Sequence, residues 1–590
     1  MGILQTAYKT YITHENLAGV SIEGKEMLAP ISHIVKNAEI EITISNDGNF
    51  LRSEFKNNEK TIIPATIESA NRTSKIPHPL CDQLQYVASC GYDKFDAYVE
   101  LLSGWADSEF SHPKVQAVLK YVKNGTIIND LLKSGVITDD KDKYEKYLVR
   151  WRIIPAPDGT SENCWEDISL FQSFIKFYTK LCAQTKQDIC MVTGKRDMIC
   201  QAHIKGIVSI NGNAKLLSAN DNSNFTYRGR FSNSQEAYNV GYTASQKAHN
   251  ALRWLTANEG VRIGGRTFIC WNPEGKSVPA NTIFGLPNEE TFDYEQYKKQ
   301  LHKTLHGYEQ ALQKTDDIII ASFDAATTGR LSVTYYNELK SSDFFRRVEH
   351  WYETMCWLSQ YNNAFSPSIE RIIKCAFGVP RENFIDIDER MSSEHVQRLL
   401  HCIVDKMPIP EDIVRALVSK SSNLLIYKNK NREYLLSTTC AVLRKYKNDK
   451  LNKEEYTLSL DTTKTDRSYL FGRLLAIAEN VERSTYDKGE KRETNAIRMQ
   501  SVFNQRPLYA WRIIEESLNP YYARLSPGLR IHYKNIIGEI TGRLPPVDNP
   551  ELGKKLADTY LLGYYHQRSA LYEKKETKIE EDLNNEPIEE

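Results

Sequence analysis

Ile40-Glu41-Ile42-Thr43-Ile44-Ser45-Asn46-Asp47-Gly48-Asn49 decides how the first half of this chain is built. Isoleucine at every second position is the period that turns one face of a strand toward a core, and Ile and Thr suit a pleated surface. The Asn-Asp-Gly-Asn run that follows tolerates positive φ, so the strand is predicted to end there and return as a hairpin. Short β-rich runs lie over about residues 22–67, and a small sheet is expected there.

The pattern changes on moving outward. Over residues 79–181, apolar positions such as Val115, Val118, Leu119 and Val122 recur at helical spacing, which reads as a helical insertion. Residues 189–272 are rich in Gly, Asn, Ser, Thr and Tyr, with strand-like pieces at both ends and one helix near 244–255. This stretch carries about ten basic and about four acidic residues, so nucleic-acid contact is plausible. Two further strands are predicted at 318–322 and 330–336, joined by Phe323-Asp324-Ala325-Ala326-Thr327-Thr328-Gly329. Past Phe344 nearly every segment has a helical period, for example Leu508, Trp511, Ile514 and Leu518. The expected class is α+β: a mixed α/β N-terminal region with small sheets and helical insertions, then an all-α C-terminal helical bundle. The expected organisation is 1–345 as the α/β region, 346–458 as a helical linking region, 459–575 as a helical bundle and 576–590 as an acidic disordered tail.

Composition narrows the function classes. A chain of 590 residues is too long for one core. Its hydrophobic fraction of 41% and charged fraction of 26% argue against general disorder. Lys plus Arg equals Asp plus Glu at 76 each, which excludes a globally basic binder and leaves only local patches. The eleven scattered cysteines read as reduced core thiols. The N-terminus has no basic then apolar leader, and no run of about eighteen apolar residues occurs, so a cytoplasmic location and no membrane contact are expected.

Candidate chemistry is sparse. Cys190, Cys200 and His203 could hold zinc with a fourth ligand from Cys182, Cys270 or His249, but the spacing fits no standard knuckle and also suits a buried turn with core cysteines. No nucleophile elbow, Walker loop or HExxH string occurs, and Asp316, Asp317 and Asp324 read as turn or cap residues. No enzyme and no cofactor are expected. Two polar segments stand out instead. One runs Glu68-Ser69-Ala70-Asn71-Arg72-Thr73-Ser74-Lys75-Ile76-Pro77, dense in donors for phosphates and base edges. The other, from Asn211 to Tyr242, interleaves Lys215, Arg228 and Arg230 with Phe225, Tyr227, Phe231, Tyr238 and Tyr242, a mixture suited to stacking and phosphate neutralisation, or to packing on protein.

An ordered set of strings carries a resemblance. It comprises Arg72-Thr73-Ser74 with Leu80-Cys81-Asp82, His112-Pro113, Cys190-Met191-Val192-Thr193-Gly194, His203-Ile204-Lys205-Gly206-Ile207 and Ser218-Ala219-Asn220. Further on come Tyr238-Asn239-Val240-Gly241, Arg262-Ile263-Gly264-Gly265, Thr328-Gly329-Arg330-Leu331-Ser332, Tyr469-Leu470-Phe471-Gly472-Arg473-Leu474 and Leu562-Gly563-Tyr564-Tyr565-His566-Gln567-Arg568. Together they resemble the large-subunit family of the type I-C CRISPR Cascade complex along most of the chain. Two departures are Ala219, where the family favours Phe, and Lys75, where it favours glycine.

The resemblance implies a non-catalytic subunit of a guide-RNA complex that recognises the PAM in target duplex DNA and promotes unwinding and R-loop formation. It also implies that the subunit holds the displaced non-target strand and helps recruit a separate helicase-nuclease. The implied partners are guide RNA, duplex DNA, the displaced strand, the backbone and guide-processing subunits, a small subunit and the helicase-nuclease. Candidate DNA contacts are Asn71, Arg72, Thr73 and Lys75, and a second group of Lys205, Asn211, Lys215, Asn220, Arg228 and Arg230; Gln83, Gln85 and Gln235 are candidate wedges. The 459–575 bundle would resemble the small subunit, with an internal start near Ser459 as a source of a separate short product. The alternatives are a zinc-dependent nuclease or DNA-modifying enzyme, and an assembly scaffold that does not bind DNA.

Overall fold

The computed structural model describes residues 2–72, 75–89, 94–157, 159–200, 202–209, 212–217, 239–278, 281–284, 292–325, 327, 329–487, 489–490 and 492–584, with the side chains of 141, 281–282, 429 and 573–584 excepted. The fold is α+β. Two compact units divide it: Met1–Arg262, Arg266–Val278 and Asp317–Glu338 form the first, and Ile263–Gly265, Pro279–Asp316 and Leu339–Glu590 the second.

In the first unit the predicted hairpin forms. Strand β1 (His33–Ile44) runs antiparallel to β2 (Phe50–Pro64), with Ile40 opposite Phe55 and Ile44 opposite Phe50. Ile40, Ile42 and Ile44 are all fully buried, as their alternation requires. Gly48 in the connecting turn has φ +79°, and a Cβ there would stand 2.8 Å from the Ala117 carbonyl oxygen, so both conformation and packing call for glycine.

The stretch expected to be a helical insertion also holds a strand. β3 (Val149–Ile153) pairs parallel to β1, giving the order β2-β1-β3. Val149, Trp151 and Ile153 are fully buried in one core. On the opposite face the guanidinium of Arg150 is buried against Glu41 at 2.6 Å and lies 3.8 Å from the Trp165 ring. Val149-Arg150-Trp151-Arg152-Ile153 alternates apolar and polar, the two-residue period of a strand, which the reading of 79–181 as a helical insertion passed over; the burial of Arg150 is what the sequence did not declare. Around this sheet the expected helices form, among them Phe95–Ala106, Pro113–Lys123 and Ile168–Ala183, the last two capped by His112 and Asp167.

A short hairpin follows, β4 (Gln187–Ile189) with β5 (Arg196–Met198). A second sheet then takes the order β6-β7-β8-β9, from Val261–Ile263, Arg266–Trp271, Asp317–Asp324 and Ser332–Lys340. β8 contains the strand predicted at 318–322, and β9 overlaps the one predicted at 330–336 but begins at Ser332 and runs on to Lys340. Ile319, Ala321 and Phe323 share a core with Ala248, Ala251, Leu252 and Leu255 of the Tyr242–Asn258 helix and with Ala7 and Tyr11 of the Ile3–Thr13 helix.

The second unit is mainly helical, with two minimal strand pairs, Trp357–Leu358 with Ala364–Phe365 and Val379–Pro380 with Ile385–Asp386. Its centre is the crossing of the Arg467–Arg483 and Tyr560–Asn584 helices, beside which Asn429–Leu451 packs. The Tyr560–Asn584 helix runs into the segment expected to be an acidic tail, and residues 585–590 lie outside the described residues. Ten cysteines are described, all buried and without disulfides. Among the described residues no helix is long and apolar enough to cross a membrane.

Candidate nucleic-acid interface

The first polar segment is a loop organised around one carboxylate. Thr66 and Ser69 form a reciprocal cap at the start of the one-turn helix Ile67–Ala70, and Asn71 ends it, its Nδ2 donating to the Ile67 carbonyl at 3.0 Å. Arg72 then folds inward. Its two terminal nitrogens donate to the two oxygens of Asp82 at 2.7 Å each, one of them also to the Ile76 carbonyl at 3.1 Å, and the guanidinium lies 4.4 Å from the Tyr86 ring centre. Asp82 is fully buried and accepts from the His78 and Gln83 amides as well, at 2.6 and 2.7 Å. Burial pushes its carboxyl above the usual range although Arg72 opposes this. Lys75 is left exposed on the loop, and Thr73 lies outside the described residues.

Two of the wedge candidates are engaged within the chain. Gln85 donates to Gln83 Oε1 at 2.9 Å and accepts from the Lys94 ammonium, and it is buried, so insertion between bases would have to break those contacts. Gln235 lies outside the described residues.

Of the second group, Lys205 and Lys215 face each other across an antiparallel bridge. Lys215 is held in turn by the Thr328–Ser332 string: its amide donates to Gly329 O at 3.2 Å, and the Leu331 amide donates to its carbonyl at 2.9 Å. That string, conspicuous in sequence, thus fixes a cation in place. Asn211, Asn220, Arg228 and Arg230, with the aromatic residues from Phe225 to Tyr238, lie outside the described residues.

The fold brings Arg72 of the first group and Lys205 of the second within electrostatic reach of Lys36, and with Lys36 it adds Arg253, two cations that sequence reading missed. On one face of the Tyr242–Asn258 helix, Asn250 donates to the carbonyls of Ala29 and Pro30, just before β1, and Thr256 donates to the carbonyl of Ile207, just after Lys205. Arg253 lies between these anchors at i+3 from one and i−3 from the other. Lys36 projects from the exposed part of β1. Its ammonium is held below the ordinary lysine range, first by the protein around it and then by Lys205, Arg72 and Arg253, with Asp82 opposing. Lys215 is lowered likewise, by its surroundings and then by Lys205, and Arg253 by its surroundings with Glu26 opposing. Lys36 is exposed and Lys205, Lys215 and Arg253 are half-buried, a cationic and partly desolvated cluster. Among the described residues Lys36, Lys205, Lys215 and Arg253 make no ion pair. Lys36 stands alone in its sequence neighbourhood, so no local count of charge could have found it; Arg253 is one of the basic residues counted over 189–272, but nothing in the sequence singled it out.

The zinc candidates take another form. Cys190 opens a tight turn closed by the Gly194 amide on its carbonyl at 2.8 Å, and it packs with Val240 and Ala244. Cys200 Sγ donates to the Ala202 carbonyl at 3.0 Å, and burial pushes its thiol up to about 11, away from the thiolate a metal needs. His203 Nδ1 stands 2.8 Å from the Ser245 hydroxyl, and burial, then His249 and Lys215, lower its imidazole to about 3. Among the described residues no group of three or more His, Cys, Asp or Glu could hold a metal ion. Asp316 accepts the Gln313 amide at 2.7 Å as a turn cap, and Asp324 pairs with Arg266 across the sheet at 3.2 Å.

A protein-family model described as CRISPR-associated protein (Cas_Csd1) matches residues 8–572 of the chain, nearly its whole length. No curated protein matches it.

Proposed function

Because the chain belongs to the CRISPR-associated Csd1 family, a component of Cascade-type complexes, we propose that it is the large subunit of a type I-C complex. In this reading it recognises the PAM in target duplex DNA and helps open the duplex, while guide RNA reads the protospacer by base pairing. It then holds the displaced strand and helps recruit the helicase-nuclease that cuts, in the cytoplasm, with no catalytic step of its own. The observation that supports DNA contact most directly is the set of cations Lys36, Lys205, Lys215 and Arg253, without an ion pair among the described residues, beside the Asp82-pinned loop that presents Lys75. Arg72 serves this reading as a strut of the loop, Asn71 as the cap of the turn behind it and Lys75 as its exposed donor.

The test is binding of the assembled complex to duplex targets with a permitted or a scrambled flank, comparing wild type with Lys75→Ala. The reading expects a wild-type preference for the permitted flank that weakens in the variant while guide RNA loading is kept. A wild type that binds both flanks equally would overturn PAM recognition and favour the scaffold alternative. Arg72→Ala is the poorer probe, because it strands the buried Asp82 carboxylate and confounds recognition with folding.

The 459–575 segment is proposed to act as the small-subunit-like part. A short C-terminal product from the same gene, detected in purified complex, would support an internal start near Ser459; a complex in which it never appears would end that idea. Such a product would have to re-cover surfaces now joined to the preceding helices, including the Tyr565 and Arg568 contacts to Glu433 and the Tyr560 contact to Ser422.

A further inference from the structure

We infer that Lys36 and Arg253, together with Lys205 and Lys215, form one continuous phosphate-binding track for the backbone of duplex DNA that reads no sequence. The inference rests on the nucleic-acid reading of the surface but not on flank recognition. Three separate segments build the track: the exposed part of β1, the Tyr242–Asn258 helix, and the bridged pair of Lys205 with Lys215. The helix is fixed against the other two by Asn250 on the carbonyls before β1 and Thr256 on the carbonyl of Ile207. Arg253, between those anchors, therefore has a set position and not a wandering one.

The chemistry points to phosphate and away from base edges. The four cations make no ion pair among the described residues, and the free protein bears the repulsion of Lys205, Arg72 and Arg253 on Lys36 and of Lys205 on Lys215. A polyanion relieves that repulsion and releases its own counterions. Base readout is served best by a side chain held in one orientation by a second, as Arg72 is held by Asp82. Lys36, Lys205 and Lys215 offer point charges instead. Arg72, locked on Asp82, forms the wall of the track beside Lys36.

The test uses the assembled complex with its guide RNA. Affinity for the permitted and the scrambled duplex is measured from 50 to 200 mM salt for wild type, Lys36→Gln, Arg253→Gln, and the charge-keeping variants Lys36→Arg and Arg253→Lys. Each phosphate contact contributes about 0.9 to the slope of log affinity against log salt. Each glutamine variant should therefore lose about 0.9 of slope on both duplexes, losing about 3.5-fold less affinity than wild type over that range. The charge-keeping variants should retain the wild-type slope. Unchanged slopes in both glutamine variants, with the subunit incorporated normally, would overturn the track. Reduced guide RNA loading would overturn its assignment to duplex DNA and give it to the RNA backbone. A change of slope on the permitted duplex alone would overturn the claim that the track reads no sequence. Loss of flank preference is a ratio at fixed salt, so failure of PAM recognition and failure of the track are read separately.

Discussion

Asp82 carries more of the loop than any side chain the sequence brought forward. It accepts from both terminal nitrogens of Arg72 and from two backbone amides, while fully buried. Its folded carboxyl lies above its unfolded value, so burial costs stability above the unfolded pKa, and the cost is relieved as pH falls. Arg72→Ala removes the compensating charge. It is expected to destabilise the first unit by about 3–5 kcal/mol, more at pH 8 than at pH 5, read from thermal unfolding across pH. Two histidines act in the opposite sense. His33 and His249 are lowered by burial to about 4, from 6.5 when free. Both rings are neutral in the fold, and the unfolded chain takes up their protons first. The stability they contribute is complete above about 6.5 and is lost as pH falls through about 4. His33→Phe should flatten that fall in a denaturant titration repeated at pH 5 and pH 7; an unchanged pH profile would show that carboxylates alone set it.

Two elements of the second unit meet at glycine. A Cβ on Gly472 would overlap the Tyr560 carbonyl oxygen, and one on Gly563 the Tyr469 carbonyl oxygen, so the Arg467–Arg483 and Tyr560–Asn584 helices touch backbone to backbone. This explains two strings that stood out in sequence without a function. Side chains seal the crossing: Tyr564 donates to the buried carboxylate of Glu479, and Arg473 Nε donates to Gln567 Oε1 at 2.9 Å. Gly472→Ala gains helix propensity but forces the helices apart, and a net loss of about 1–3 kcal/mol is expected. Gly538, exposed in the Pro527–Gly542 helix with nothing near its Cβ direction, is the control. Gly538→Ala should stabilise by about 0.5–1 kcal/mol, and the two thermal midpoints should move in opposite directions.

At the scale of the whole molecule, the first unit is not one length of chain. Strands β8 and β9 return to it after the chain has passed through the second unit. A fragment ending at residue 278 lacks both strands and uncovers the core face around Ile269 and Trp271. It is expected to aggregate on expression, whereas a fragment that retains residues 317–338 should remain monomeric by size-exclusion chromatography. Much of the fold was legible in sequence, because periodicity is local: the alternating isoleucines of β1, the Asn-Asp-Gly-Asn turn and the helical periods beyond Phe344 each declare their element within a few residues. The ordered family strings likewise declared a CRISPR-associated chain. The alternation of Val149-Arg150-Trp151-Arg152-Ile153 was in the pattern as well, but the parallel pairing of β3 with β1 and the burial of Arg150 were not, because Glu41, which neutralises Arg150, is distant in sequence and adjacent only across the sheet. The same reason governs the candidate site. Sequence alone determined that two polar, cation-bearing segments were the candidates for nucleic-acid contact and that it held no recognised local motif for catalysis. Only the tertiary structure decided that Arg72 turns inward to Asp82 and that Lys36 and Arg253 join Lys205 and Lys215, since charge acts through space and the chain must fold before distant cations share one surface.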